Sequence, residues 1–261
     1  MKDKKSSAAG NTVVSGILAA LLPLAAILIW ILSAETGRLN THIIASPQKL
    51  LERISAALAD GSLSKNVLAS TGRVLKGFAI GSALGLVVGA LNGLIPLVRR
   101  LLVAVIGILR PIPPISLIPF FILWMGIGEK SKLTIIAIGA FWSVLLNTIQ
   151  GFQDTDPKLL ELARVFGKNR MEVLFRIILP SALPSIFTGL RLGISHAWTA
   201  VVTAEMIAAS SGVGYMIQFA RELAQPDLLL LGIACIGVIG LIIDTIMVIL
   251  LKKIVYWRKN D

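Results

Sequence analysis

The chain alternates long apolar runs with short polar breaks marked by proline or glycine. A helix needs about 20 residues to cross a bilayer core of roughly 30 Å. Six runs approximate that length: 13–34, 67–95, 101–126, 132–151, 186–210 and 227–251. Strands are excluded for them, because an open sheet leaves backbone groups unsatisfied in hydrocarbon. The pattern predicts an all-α, polytopic membrane protein with six transmembrane helices. In the second run Gly77, Gly81, Gly85 and Gly89 recur every four residues, a small-residue stripe that lets another helix approach closely. The third opens on RPIPPISLIPFFILWMGIG, where Pro111, Pro113, Pro114 and Pro119 require an irregular or kinked span. In the loop 35–66, Ser46 and Pro47 start a helix and Gly61 ends it. Leu50, Ile54, Ala57 and Leu58 share one face, which predicts an amphipathic helix along the outer membrane surface.

Composition agrees with a membrane protein. Hydrophobic residues make up 56% and charged residues 15% of 261 positions, and mean hydropathy is +0.84. A net charge of +11 would suggest nucleic acid in a soluble chain, but aromatics are only 6% and do not interleave with basic residues. The basic residues instead orient the chain. The side carrying both termini, Arg99, Arg100 and residues 158–176 holds about twice the Lys and Arg of the other, so it is expected to be cytoplasmic. The opening MKDKKSSAAGN precedes an apolar run longer than a signal-peptide core, which reads as an uncleaved first span. Cys235 is the single cysteine, so no intrachain disulfide and no cysteine metal site can form. His42 and His196 lie in separate regions without a nucleophile or H-E-x-x-H motif. No metal site and no enzyme are expected.

Polar residues inside apolar runs are the next candidates. Glu205 in VVTAEMIAAS fits a gate or structural partner on a pathway, and equally a carboxylate hydrated near the outer interface. His196 and Trp198 lie deeper, and Ser195, Thr199 and Thr203 extend a polar line that fits an anion pathway or ordinary helix–helix hydrogen bonding. Arg110 and Arg191 suit an anion if they face a cavity, and otherwise snorkel. Asp244 fits pairing with a neighbouring helix, and Asn147 and Gln150 an interfacial position.

The stretch PKLLELARVFGKNR from Pro157 interrupts the fourth and fifth runs. Pro157 suits a first helical turn, and Gly167 suits the stop. Leu159, Ala163 and Phe166 share a face with Leu162 beside it, opposite Lys158, Glu161, Arg164 and Lys168. Resting on anionic lipid and docking a partner both fit this pattern. Glu161, Ala163, Gly167, Ile177, Leu179 and Pro180 match E-A-A-x₃-G-x₉-I-x-L-P, with Leu162 in place of the second alanine. The loop resembles the cytoplasmic signature of the inner-membrane permease subunit of binding-protein-dependent ABC importers. RPIPPISLIPFFILWMGIGEKSK (110–132), LPSALPSIFTGLRLGISHAW (179–198) and VTAEMIAASSGVGYMI (202–217) are similar to the subgroup serving nitrate, aliphatic sulfonates and taurine.

The resemblance implies a type I importer fold, with residues 1–261 as one permease domain and 157–180 as a cytoplasmic coupling loop. It implies that Glu161, Ala163, Arg164, Phe166, Gly167, Lys168 and Arg170 engage cytosolic ATPase subunits, two in number, which supply ATP and magnesium. No cofactor is expected in this chain, which lacks a G-x-x-x-x-G-K-[ST] phosphate loop. It further implies a second permease copy, an extracytoplasmic solute-binding protein, and residence in the bacterial inner membrane. Its anchored handle is expected to be polar outside and apolar beneath. His196, Trp198, Thr199, Thr203 and Glu205 are the candidate pathway residues for a small anion. A heterocyclic cargo such as a pyrimidine is the alternative within that role. A stand-alone ion-coupled transporter is the rival from another class; it predicts paired intramembrane charges and repeated halves, whereas the spans read as poor in charge and free of repeats.

Overall fold

The computed structural model describes residues 21–41 and 43–254. The beginning of the first predicted span, His42 and residues 255–261 lie outside the described residues. Among the described residues all regular structure is helical, with no strand. α1 is Leu21–Glu35. Then follow α2 Pro47–Ala59, α3 Ser62–Leu94, α4 Pro96–Leu109, α5 Ile118–Met125 and α6 Glu129–Gln153. The rest comprises α7 Pro157–Val165, the short α8 Arg170–Val173, α9 Leu179–Ala208, α10 Val213–Glu222 and α11 Pro226–Ile254.

Among the described residues four helices are long and apolar enough to cross a membrane, and α4 with the segment Pro114–Met125 passes the same test only as a pair bent by 85°, a broken span or a re-entrant loop. That bend is the kink expected from the proline cluster. Pro111, Pro113 and Pro114 cannot donate backbone hydrogen bonds, so α4 stops at Arg110 and the chain restarts as a short 3₁₀ turn before α5. The fifth predicted span is longer than expected: α8, a π turn over Leu174–Ile178 and α9 form one helical rod over 170–208. Pro180 has no N–H for the carbonyl four residues back, and the wider turn just before it takes up the mismatch. LPSALPS lies inside this rod, with Pro184 in mid-helix.

α6 is the centre of the bundle, flanked by α3 and α9. The glycine stripe explains the α3 contact. A Cβ at Gly77 would overlap Ile136, one at Gly81 the Ala137 carbonyl, and one at Gly89 would lie 2.7 Å from Thr148 Cβ. Val74, Ile136, Ala140, Ala197, Trp198 and Val201 knit α3, α6 and α9 into one buried cluster. A second cluster joins α2 to α10 and α11 through Ala57, Val213, Met216, Ile217, Leu228 and Leu231, with Leu50 and Ile54 packed on it. Ser46 caps α2 by accepting the Lys49 N–H, as its sequence predicts. This helix packs on protein through Leu50, Ile54 and Ala57, whereas Leu58 points away and is exposed. α11 presents a broad apolar surface, including Val238, Leu241, Ile246 and Ile249. This is the lipid-facing composition expected where hydrocarbon replaces water.

Candidate functional site

Three features lie along this bundle: a handle at one end, a cavity beside its middle, and a buried ion cluster at the other end.

The handle is α7. Asp156 caps its start by accepting the Lys158 N–H, with Pro157 in the first turn. Its end is a Schellman motif. Gly167 has φ +65°, its N–H reaches the Arg164 carbonyl, and the Lys168 N–H reaches the Ala163 carbonyl. Asn169 and Glu172 then form a capping box that starts α8. The segment is thus a rigid helix–turn–helix, capped at both ends of α7. Its surface differs from the anchored handle the sequence implies. Ala163 is the one buried residue of α7, while Leu162, Val165 and Phe166 are exposed, Val165 by 83%. The apolar side is displayed because a nine-residue helix held at both ends by tight turns can bury only one narrow stripe. Glu161, Arg164, Lys168 and Arg170 are exposed around it. Lys168 pairs loosely with Glu172 at 3.4 Å.

A cavity of about 600 Å³ opens between the bend after α4 and the middle stretches of α6 and α9. His196, Thr199 and Thr203 line it, as do Arg110, Ser143 and Asn147. Trp198 and Glu205 do not. Residues two apart on a helix point about 200° apart, so Trp198 turns to the opposite side and donates its indole N–H to the Ile236 carbonyl on α11 at 3.1 Å. Close approach of α6 and α9 at one edge of the cavity depends on Gly139, where a Cβ would lie 3.1 Å from Ala200 Cβ. Ser143 Oγ and His196 Nδ1 are 2.6 Å apart across it.

Glu205 is fully buried, and neither hydrates nor faces the cavity. Its carboxylate accepts from Arg73 Nη1 at 2.7 Å, Ser70 Oγ at 2.7 Å and the Gly214 N–H at 3.0 Å. Arg73 also donates to Glu129 through Nε and Nη2, and to the carbonyl and hydroxyl of Ser211. All five guanidinium hydrogens are therefore used. Lys132 completes the cluster on Glu129 at 2.6 Å. The segment SSGVG folds over the carboxylate: a Cβ on Gly212 would overlap Glu205, and one on Gly214 would overlap the Val202 carbonyl. This hub joins α3, α6 and α9 with the turn into α10.

Arg73 was not singled out by the sequence as a partner for Glu205, because 132 residues separate them. The same holds for Arg191, for which the sequence leaves open an anion in a cavity or snorkelling; it forms two hydrogen bonds to Asp244 at 2.7 and 2.8 Å, the pairing with a neighbouring helix that Asp244 suits. The spans thus contain paired charges where the sequence read as poor in them. Gln150 bonds to Asp154 near the end of α6, and Asn147 faces the cavity.

Residues 81–256 match the family of binding-protein-dependent transport system inner membrane components. A Bacillus subtilis permease protein named for aliphatic sulfonates is 35% identical over 240 residues, covering 92% of this chain and 87% of that protein. The taurine transport system permease protein of Escherichia coli is 33% identical over 248 residues, covering 93% and 88%. A solved amino acid ABC transporter chain superposes with a TM-score of 0.64 at 14% identity, covering 77% of this chain and 97% of that one.

Proposed function

The chain belongs to the family of binding-protein-dependent transport system inner membrane components, and from that premise we propose that it forms the translocation pathway of an importer for a small organic anion, driven through α7 by a separate ATPase. The role of ABC importer permease follows from the family; the cargo, the coupling residues and the assembly are our reading.

The observation that carries it is the handle. Leu162, Val165 and Phe166 stand out from a helix capped at both ends, ringed by Glu161, Arg164, Lys168 and Arg170. An exposed apolar knob on a rigid, charged mount suits a protein cleft better than water. It is continuous, through Asn169 and the rod over 170–208, with the helix that lines the cavity. A force applied to α7 therefore reaches His196, Thr199 and Thr203 through a helical rod rather than a loop. In this reading ATP and magnesium are bound by two cytosolic ATPase subunits. Their closure moves α7 and turns the cavity outward, a second copy of this chain completes the pathway, and a solute-binding protein delivers cargo from outside. Both termini and α7 then lie in the cytoplasm.

Relatives named for aliphatic sulfonates and taurine favour a sulfonate-type cargo over a heterocycle. Paired intramembrane charges do not revive the ion-coupled rival, since Arg73–Glu205 and Arg191–Asp244 lie off the cavity and tie helices together.

The test is Gly167→Val. A β-branched side chain at φ +65° costs about 1–2 kcal/mol or more, yet it meets nothing within 4 Å. The cap loosens and the bundle stands. ATPase co-purification and uptake are expected to fall while membrane levels hold; wild-type values for both would refute the coupling role.

A further inference from the structure

A charge inside a span must pair, or reach water or a lipid headgroup. Between Leu179 and Glu205, α9 carries one formal charge, Arg191; between Asp227 and Lys252, α11 carries one, Asp244. The two meet: Arg191 Nε donates to Asp244 Oδ1 at 2.7 Å, and Nη2 donates to Oδ2 at 2.8 Å. Counted at 1.5 Å per residue, Arg191 lies about 21 Å along α9 from Glu205, and Asp244 about 26 Å along α11 from Asp227. Glu205 and Asp227 stand at the end of the bundle opposite α7. In a core of roughly 30 Å the pair therefore sits in the third of the bilayer nearest α7, and neither residue lines the cavity.

This pair is only half sheltered. The side chains of Arg191 and Asp244 are 41% and 40% exposed, against 9% and 0% for Arg73 and Glu205. Arg73 uses all of its guanidinium hydrogens on protein, whereas Arg191 uses one from Nε and one from Nη2. Both Nη1 hydrogens and the second Nη2 hydrogen have no partner among the described residues, and each Asp244 oxygen keeps a lone pair. Hydroxyls that flank the pair do not serve it: Thr188, Ser195 and Thr245 donate to carbonyls of their own helices. Around it Leu192, Leu241 and Ile246 are exposed. Unmet donors and acceptors are costly in hydrocarbon, so this surface calls for a ligand that both accepts and donates.

We propose that Arg191 and Asp244, between α9 and α11, bind the headgroup of a zwitterionic phospholipid with N–H donors, phosphatidylethanolamine by class, from the leaflet on the α7 side. Its phosphate accepts from the spare N–H groups of Arg191, and its ammonium donates to Asp244. Charge complementarity sets the class. The pair is neutral overall, so a purely anionic headgroup gains Arg191 but meets the Asp244 carboxylate. A choline headgroup carries the positive charge without an N–H to donate. Asp244 stands about one helical turn inside the edge of the core, a distance that the long arginine stem and a headgroup span together. α9 is also the rod that joins α7 to the cavity, so this lipid seats on the element that carries motion between them. The inference requires only that the chain spans a bilayer and goes beyond the transport reading.

The full-length chain is reconstituted in nanodiscs holding equal parts of phosphatidylethanolamine, phosphatidylcholine and phosphatidylglycerol with matched tails. Lipids retained after release into mild detergent are counted by native mass spectrometry. Phosphatidylethanolamine should be retained over phosphatidylcholine at least about tenfold, the worth of one hydrogen bond to a charged group. Retention should fall stepwise as its nitrogen is methylated once and then twice. Arg191→Gln with Asp244→Asn leaves two side chains that can still bond each other, and should abolish the preference. Lys252→Gln with Lys253→Gln, at the end of α11, should lower phosphatidylglycerol retention and leave the preference intact. If the first variant does not fold, the methylated series and the lysine variant still decide. Equal retention of phosphatidylethanolamine and phosphatidylcholine, stronger retention of phosphatidylglycerol, or indifference to methylation would overturn the proposal. So would an unchanged preference in the Arg191, Asp244 variant or its loss in the lysine variant. ATPase co-purification is scored in parallel: its absence in the wild type would sink the transport reading and leave this inference standing.

Discussion

Replacing Glu205 by glutamine tests what the buried ion cluster does for the fold. The substitution keeps shape and volume but removes the charge. Arg73 loses its 2.7 Å partner in a site where the Glu205 side chain has no solvent exposure and that of Arg73 only 9%. An amide also cannot accept with both atoms. If its oxygen turns to Arg73, its NH₂ faces the Gly214 N–H that Glu205 Oε2 now accepts. Breaking a buried pair at one end costs about 3–5 kcal/mol, and because Arg73 keeps Glu129 the loss should fall at the low end of that range. Glu129 provides the control. It also binds Arg73, at 2.8 Å, but its side chain is 57% exposed. Water can replace it, so Glu129→Gln should cost about 0–1 kcal/mol. Thermal unfolding of the purified chain in nanodiscs compares the two variants directly. The double variant Arg73→Met, Glu205→Gln should lose less than the sum of the single losses, with a coupling of about 0.5–3 kcal/mol. A Glu205→Gln loss no larger than that of Glu129→Gln, or strict additivity in the double variant, would refute the claim that this pair locks α3 to α9.

Gly81→Leu should prevent the bundle from forming at wild-type yield, because its Cβ would overlap the Ala137 backbone; Gly237→Leu, in α11 with nothing within 4 Å, should not alter the yield. Monodisperse yield after purification reads both. Ala224 holds φ 51° at the end of α10. Ala224→Gly relieves about 1–2 kcal/mol of left-handed strain against roughly 0.4–1 kcal/mol of added unfolded-state freedom, so the melting temperature should rise. With Cys235→Ala as background, external thiol labelling of intact cells should modify Lys130→Cys and spare Arg164→Cys; labelling of Arg164→Cys alone would invert the orientation.

Features governed by local rules were legible in the sequence. The α2 cap at Ser46, the stop at Gly167, the bend at Pro111–Pro114 and the Gly77–Gly89 stripe each depend on residues within a few positions, and all stand where the pattern puts them. Features joining distant residues were not. Arg73 and Glu205 meet only because α3 and α9 flank α6, an arrangement no spacing encodes. The polar line on α9 was partly resolvable: helical geometry alone separates His196, Thr199 and Thr203 from Trp198 and Glu205, but only packing shows which group faces the cavity. The surface of α7 was misjudged because an amphipathic pattern gives a face without saying whether anything covers it. Leu162, Val165 and Phe166 are uncovered in the chain itself.

That uncovered surface is where the account is most exposed. A photo-crosslinking amino acid at position 166, in cells expressing the cognate ATPase, measures what sits against it. The account predicts a crosslink to the ATPase subunit that is lost when the same group is placed at position 130, at the far end of the bundle. A residue-166 crosslink confined to lipid, or an ATPase crosslink from position 130 instead, would contradict it.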